Sequence, residues 1–464
     1  MAHRQKKSKK SSSYKIRGNF FRYLDFETIF SKSNIIIMKK ILGILSVLIL
    51  CSTAIHAQSV NHTGYNYLGQ NSLNTITTAV PFLLVAPDSR SGSMGDMGVA
   101  TSADANSQHH NPSKYVFSKN KFGISVSYSP WLRKLVNDIN LLYLSTYFKV
   151  TDNDALSFSL RYFSLGDISF TDVNGEPMGD QKPNEFSIDL GYSRKLIDEL
   201  SIAITPRFIY SNLTAGQYVE GQETNAGLAG AADISLFYQQ DFKIKGLENS
   251  TLRAGLNISN IGNKMSYSSG TLRRDFLPTN LKLGVSYTIN FSEYHSLMFG
   301  VECNKLLVPT NPQYQQDSLG RMQYDAAGEP IIISGKNPNV SVAQGIFQSF
   351  ADAPGYFDSE TGTFYGRSLE EFREVNWSVG LEYCYRDLLF VRAGYFFEHP
   401  TKGNRQFITI GAGIHYSIFG LDLAYLFTVD QHHPLENTLR FTLSFDIESF
   451  NKESIRTQGR LNAK

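Results

Sequence analysis

The run Asn280-Leu281-Lys282-Leu283-Gly284-Val285-Ser286-Tyr287-Thr288-Ile289 decides the fold. Leu281, Leu283, Val285, Tyr287 and Ile289 alternate with Asn280, Lys282, Gly284, Ser286 and Thr288, the period of a strand with one apolar and one polar face. The rhythm recurs on both sides. Phe186, Ile188, Leu190 and Tyr192 alternate with Glu185, Ser187, Asp189 and Gly191, and Leu252, Ala254, Leu256 and Ile258 with Thr251, Arg253, Gly255 and Asn257. Near the end, Leu439, Phe441, Leu443 and Phe445 alternate with Arg440, Thr442, Ser444 and Asp446. About fourteen such strands are expected, near 121–130, 139–150, 155–166, 185–196, 200–213, 229–242, 250–261, 279–291, 295–307, 373–386, 388–399, 406–418, 421–430 and 437–447.

The connections alternate too. Short ones contain Thr151–Asp154, Ile197–Glu199, Ser292–Tyr294, Asp387 and Phe419-Gly420. Long ones contain Asp167–Asn184, Thr214–Leu228, Gly262–Pro278, Val308–Phe372, His399–Arg405 and Gln431–Glu436. A soluble sandwich or propeller gives no reason for this alternation. An all-β, antiparallel, 14-stranded transmembrane barrel of the outer membrane does, with short periplasmic turns and long extracellular loops over 121–447. Hydrocarbon offers no hydrogen-bond partners, so such a sheet must close on itself.

Composition agrees. The 464 residues carry a net charge of +2, 19% charged residues and 13% aromatics, with 32 Phe and 25 Tyr against 2 Trp. Disorder is excluded by the apolar content. A helical polytopic membrane protein is excluded because the longest apolar run, Ile41–Leu50, falls well short of the ~20 residues that a span needs. So small a charge suggests no broad basic face, and no nucleic-acid partner is expected.

The N-terminus reads as an address. Met38-Lys39-Lys40, the apolar Ile41–Leu50 and the small exit residue Ala57 describe a signal peptide over 38–57. Residues 1–37 are basic and Ser-rich and lack a core pattern, as an upstream extension would. Leu50 stands before Cys51 where a lipoprotein needs a small residue. Parity places Cys303 on an apolar face and Cys384 on a polar one, so no disulfide between them is expected.

Parity also sorts the charges. Arg161, Asp189, Arg207, Arg253, Lys282, Glu302, Glu382, Arg392, Arg440 and Asp446 all fall on polar faces and are expected in the lumen. An Arg or Lys facing lipid at mid-membrane costs about 2–4 kcal/mol. Glu302 and Glu382 invite a carboxylate-pair reading, but luminal pairing with Arg explains them more simply. The second strand is apolar on both faces at Leu141, Leu142, Tyr143 and Leu144, suiting either a pocket or packing against an inner segment.

Residues 58–120 precede the barrel. Gly92, Gly95 and Gly98 are too densely spaced for a stable helix, and Asn111-Pro112 starts a turn. A compact N-terminal plug would have this composition. The stretch Ala86–Asn106 followed by Asn111-Pro112-Ser113 resembles the N-terminal region of the FadL-like outer-membrane barrels, which have fourteen strands and a plug. Ser113 stands where that family has Ala. Within that superfamily, Ala86–Ala100 with Thr101–Asn106, and Pro434–Phe441, are similar to the PorV-type barrels of the Bacteroidetes type IX secretion system. The resemblance spans about Thr75 to Ile447.

That resemblance implies a non-enzymatic secretion component of the outer membrane. It implies as partners cargo bound through its C-terminal domain, the giant translocon barrel and a PorU-type sortase or attachment complex, alongside outer-membrane lipid. The loop 308–372 is the candidate docking element, with Tyr324, Ile331, Ile332, Ile333, Phe347, Phe350, Tyr356, Phe357, Phe364 and Tyr365. Apolar residues in a long loop suit protein docking, and Ile331–Ile333 suits edge-strand addition. The same residues also suit a cover over the barrel mouth. The competing class is a FadL-like transporter of hydrophobic small molecules. No cofactor, metal or catalytic residue is expected: no phosphate loop, dinucleotide fingerprint or zincin pattern occurs. The pairs His109-His110 and His432-His433 read as loop histidines. The tail 448–464 carries no assigned role.

Overall fold

The computed structural model describes residues 73–447 apart from 134–135, 137, 172–176, 214–217, 220–221, 244–248, 268–273, 318, 359–361 and 430–433. The expected extension, signal peptide and tail, and His432-His433, lie outside the described residues. Among those described, no helix is long and apolar enough to cross a membrane. The crossing is made by strands instead.

Fourteen antiparallel strands close into one barrel. They are β1 (Phe122–Pro130), β2 (Asn140–Lys149), β3 (Asp154–Ser164), β4 (Asn184–Ile197), β5 (Leu200–Asn212), β6 (Gly227–Phe242) and β7 (Ser250–Gly262). The second half is β8 (Asn280–Ser292), β9 (His295–Leu306), β10 (Asn376–Tyr385), β11 (Leu389–Phe397), β12 (Gln406–Tyr416), β13 (Phe419–Thr428) and β14 (Leu439–Ile447). The seam closes where β1 pairs with β14, from Phe122 opposite Ile447 to Tyr128 opposite Phe441. Every expected strand is present, and the short–long alternation holds around the ring. One turn differs: Phe419 and Gly420, read as a connection, belong to β13, and the reversal sits at Ser417 and Ile418. Phe419 pairs with both Tyr416 and Phe445, so its place in the ladder outweighs the turn propensity of the neighbouring Gly.

The wall is inverted relative to a soluble protein. Leu190 is 58% exposed and Val391 60%, while Ser125, Ser145, Ser159 and Ser193 on the opposite face are fully buried. The luminal charges follow the same parity: Arg161, Asp189, Arg207, Lys282, Glu302, Glu382, Arg392 and Arg440 are all buried. Cys303 and Cys384 are free. Cys303 sits opposite Trp377 and Cys384 opposite Ser296, seven rungs apart on one ladder.

What buries the luminal face is the chain before β1. Asn74 N–H donates to the Thr401 carbonyl at 3.0 Å and Ala79 N–H to Phe276 at 2.9 Å, both at the long-loop end. Near the opposite end, Lys149 Nζ donates to the Ser118 carbonyl at 3.0 Å. The segment therefore runs lengthwise through the barrel, through single turns at Pro81–Leu84, Ser89–Gly92, Ser107–His110 and Pro112–Phe117. Leu141 and Tyr143 on β2 point inward, and Leu141 packs in a cluster with Val80, Phe82, Leu83, Phe163, Ile209 and Leu277. Of the two readings offered for β2, the structure shows packing.

Candidate functional site: the inner segment and the barrel mouth

The inner segment is fixed by polar contacts to strands all around the barrel. Glu302 on β9 accepts from the N–H groups of Gly98 and Val99 at 2.7 and 2.8 Å, and Lys114 Nζ holds the Gly98 carbonyl at 2.8 Å. Lys114 Nζ also donates to Thr101 Oγ1 at 3.0 Å. Asp96 pairs with Arg440. Arg90 binds Glu382 through two hydrogen bonds of 2.8 and 2.9 Å, and Glu382 also accepts from Arg392 at 2.6 Å. Arg392 reaches on to Asp422 at 2.5 Å. Glu382 is thus the luminal Arg partner that parity anticipated. Glu302 is held mainly by backbone N–H groups, with Lys282 at 3.7 Å.

The motif residues Gly92, Gly95, Gly98, Asn111 and Pro112 all lie on this segment. Gly95 has φ +67°, and a Cβ there would press on the Tyr395 carbonyl of β11. Asn111 Nδ2 bridges the Val99 carbonyl at 3.0 Å and the Leu236 carbonyl of β6 at 2.9 Å. Pro112 opens the single turn to Phe117, and its carbonyl accepts from Ser193 Oγ at 2.8 Å.

His109 and His110 are not loop histidines. Both are buried on the short helix Ser107–His110. His109 faces the Arg161 guanidinium, which can only donate. Its neutral Nδ1 accepts from Arg161 Nη2 at 2.6 Å. His110 Nε2 meets Ser91 Oγ at 2.7 Å and Asp88 Oδ1 at 3.0 Å. Ser, His and Asp are adjacent here, but Ser91 and Asp88 share one ring nitrogen. A base oriented through its other nitrogen, as nucleophilic catalysis needs, is therefore not formed. Asp88 instead caps Ser89–Gly92 by accepting from Ser91 N–H at 2.9 Å. Nothing in the local sequence revealed these partners, because each lies on a distant strand or turn.

At the mouth, the long connection is bolted down at its C-terminal root. The helix Arg367–Arg373 and the residue after it present Glu370, Glu371 and Glu374. Lys402 binds Glu370 at 2.6 Å and Glu374 at 3.0 Å, and Lys305 binds Glu374 at 2.5 Å and Glu371 at 3.1 Å. Asn74 Nδ2 joins at 3.1 Å from Glu370, tying the entering inner segment to the same helix. Beside this network lies a cavity of about 360 Å³, lined by Ile76, Thr78, Leu84, Glu374, Glu398 and Arg405 among others. Sequence reasoning missed this anchor. Three Glu within five residues, each able to face one Lys, was the available signal.

The candidate docking residues separate into small units. Ile332–Ser334 pairs with Gln313–Tyr314 in a two-stranded sheet, and Ile331 accepts from Gln315 N–H at 2.8 Å and donates to the Gln323 carbonyl at 3.0 Å. The loop's own hairpin therefore takes up one edge of the Ile331–Ile333 strand. Tyr356–Asp358 pairs with Thr363–Tyr365, which sets the Phe357 ring 5.2 Å from that of Phe364 and the Tyr356 ring 6.5 Å from that of Tyr365, both pairs tilted. Phe347 lies on the helix Val342–Gln348 and Phe350 just beyond it. The helix rests on Phe276 and Pro309 through Gly345. Phe347 is 79% exposed, Tyr324 59% and Phe350 51%.

A closed fourteen-stranded barrel with an apolar exterior and a segment packed along its lumen defines a β-barrel of the outer-membrane kind. The family described as type IX secretion system protein PorV matches residues 68–313, more than half of the chain, and the chain belongs to it. It is an outer-membrane component of that secretion system, and no enzyme family is indicated. No curated protein matches the chain. Among solved structures it is similar to the Pseudomonas putida toluene transporter TodX, with 12% identity, a TM-score of 0.41 and coverage of 82% of this chain and 100% of that one. A Pseudomonas aeruginosa FadL homologue gives 11% identity and a TM-score of 0.38, covering 80% of this chain and 99% of its own. The Ralstonia pickettii toluene transporter TbuX gives 11% identity and a TM-score of 0.39, covering 77% and 97%.

Proposed function

We propose that this barrel receives type IX cargo at its long-loop mouth and passes it to the surface attachment complex. In this reading the cargo's C-terminal domain rests on the exposed apolar residues of 308–372. The giant translocon barrel supplies the cargo, and a PorU-type sortase accepts it. One observation carries the proposal: large apolar side chains, Phe347 foremost, stand exposed on a loop whose root is fixed by buried ion pairs. A covering role would bury those side chains; a docking role leaves them outward, where their burial on binding contributes about 25 cal/mol per Å². Residues 58–120 serve as the plug that gives the loops a rigid floor. Transport of hydrophobic small molecules is less well supported, because Phe82, Leu83 and Leu277 fill the apolar stretch of the lumen.

The test is recovery of cargo with the affinity-tagged protein from native outer membranes. Phe347→Ser with Phe350→Ser should cut cargo recovery severely while the heat-modifiable gel shift of the barrel persists. Unchanged recovery sinks the docking role of these residues.

A further inference from the structure

Lys282 on β8 is a buried cation with no hydrogen bond to any described residue. It is 8% exposed, and its ion-pair partner Glu302 Oε1 stands 3.7 Å away, itself without a hydrogen bond. An ammonium group taken out of water and left in this state is costly. Its neighbours across the wall are amides. Lys282 lies opposite Asn257 on β7 and Asn304 on β9, and Asn304 lies opposite Asn376 on β10. Both amide atoms of Asn257 lack a partner, and Asn304 Oδ1 accepts from Asn376 Nδ2 only at 3.4 Å. Two residues nearer the mouth, on the same face of β8, Asn280 is 3% exposed and its Oδ1 has no partner.

Asn280, Lys282, Asn304 and Asn376 line one hollow inside the barrel. Leu84, Val85, Leu306, Asn376 and Arg405 line both this hollow and the cavity at the mouth, which puts it directly beneath that opening. The other charges around it have found partners: Arg440 pairs with Asp96, and Arg405 with Glu398. What is left unmet is specific. The Lys282 ammonium lacks an anion, and Asn280 Oδ1 lacks an N–H. Two residues apart on one strand face, they rise from backbone positions about 7 Å apart. The last residue of a polypeptide carries both groups on one Cα, a carboxylate and an amide N–H; a fatty acid carries the first and not the second. We propose that this hollow binds the carboxy-terminal residue of a polypeptide, its carboxylate on Lys282 and its amide N–H on Asn280. Asn304 and Asn376 then meet the preceding peptide group on the way to the mouth. This rests on the cargo reading and names the part of the cargo's C-terminal domain that enters the barrel.

The test uses the full chain in detergent and a purified type IX cargo C-terminal domain, prepared once with its free carboxylate and once with that end amidated. The wild-type barrel should bind the free acid about tenfold or more tighter than the amide, as a hydrogen bond to a buried charge provides. Lys282→Met should bring the two affinities together, and Lys282→Arg should restore the difference. Equal affinity of acid and amide for the wild-type barrel overturns the site while the cargo reading stands; binding of neither form overturns both. Palmitate that displaces the free acid from the wild-type barrel makes the hollow a site for free amphiphiles and overturns the proposal as well. The comparison of acid with amide needs no variant, so it tests the site even where Lys282→Met does not fold.

Discussion

The inner segment and the long loop are both irregular chain, yet they are held in opposite ways. Residues 79–118 touch the barrel throughout, through Glu302, Glu382, Arg440, Asn111 and Arg161. The 308–372 connection is held firmly at its root by Lys305 and Lys402, while side chains such as Phe347 and Tyr324 stand exposed on it. The difference teaches where rigidity ends. Buried charge pairs specify a position because losing one partner strands the other, and neither Phe347 nor Tyr324 has such a tether.

The largest effect on stability should come from the inner network. Arg392 is fully buried and joins Glu382 to Asp422. Arg392→Met should cost about 3 kcal/mol, the lower end for breaking a buried pair, because Arg90 and His415 still serve the two carboxylates. The midpoint of the heat-modifiable gel shift measures it. Next comes Gly255→Val, which sets a side chain against the Val99 carbonyl. Overpacking of this kind costs about 1–3 kcal/mol, and protease cleavage within 92–118 should rise as the segment is displaced. An unchanged cleavage pattern would show that the wall and the segment are not in close contact.

A smaller effect belongs to pH at the mouth. Burial, helped by the charges of Arg373 and Lys402, lowers His399 from 6.5 to about 4. Its Nδ1 accepts from Thr401 N–H at 3.3 Å, which requires the neutral ring. The released loop binds the proton more readily than the folded one. The contribution of His399 is therefore complete above pH 6.5 and is lost as pH falls through 4. Hydrogen exchange across 398–405 should quicken over that interval, and His399→Gln should flatten the profile. The least effect on the barrel is expected at the tip: Phe347→Ser and Phe350→Ser should each change stability by no more than about 0.5 kcal/mol. If they destabilise like Arg392→Met, the tip is part of the scaffold and the contrast fails.

Much of the fold was legible because a strand's face is a local property. Leu190 and Asp189 declare opposite sides without reference to any other strand, and the count and order of strands follow from repetition. Partners are not local. Parity placed Arg392 in the lumen but gave no sign that it would join residues 10 before and 30 after it. His109 and His110 read as loop residues because Arg161 and Asp88, which hold them, are far away in sequence. In the loop, composition marked the aromatic residues but not which ones would meet across hairpins, like Phe357 with Phe364, and which would stay exposed, like Phe347.

Site-specific photo-crosslinking in living cells tests the central claim most directly. A photoreactive amino acid is placed at Phe347, and as a control at Leu190 on the lipid face, with adducts identified by mass spectrometry. The account expects Phe347 to yield adducts with the C-terminal domains of secreted cargo and Leu190 to yield none. Cargo adducts absent at Phe347, in cells that still secrete normally, would contradict it.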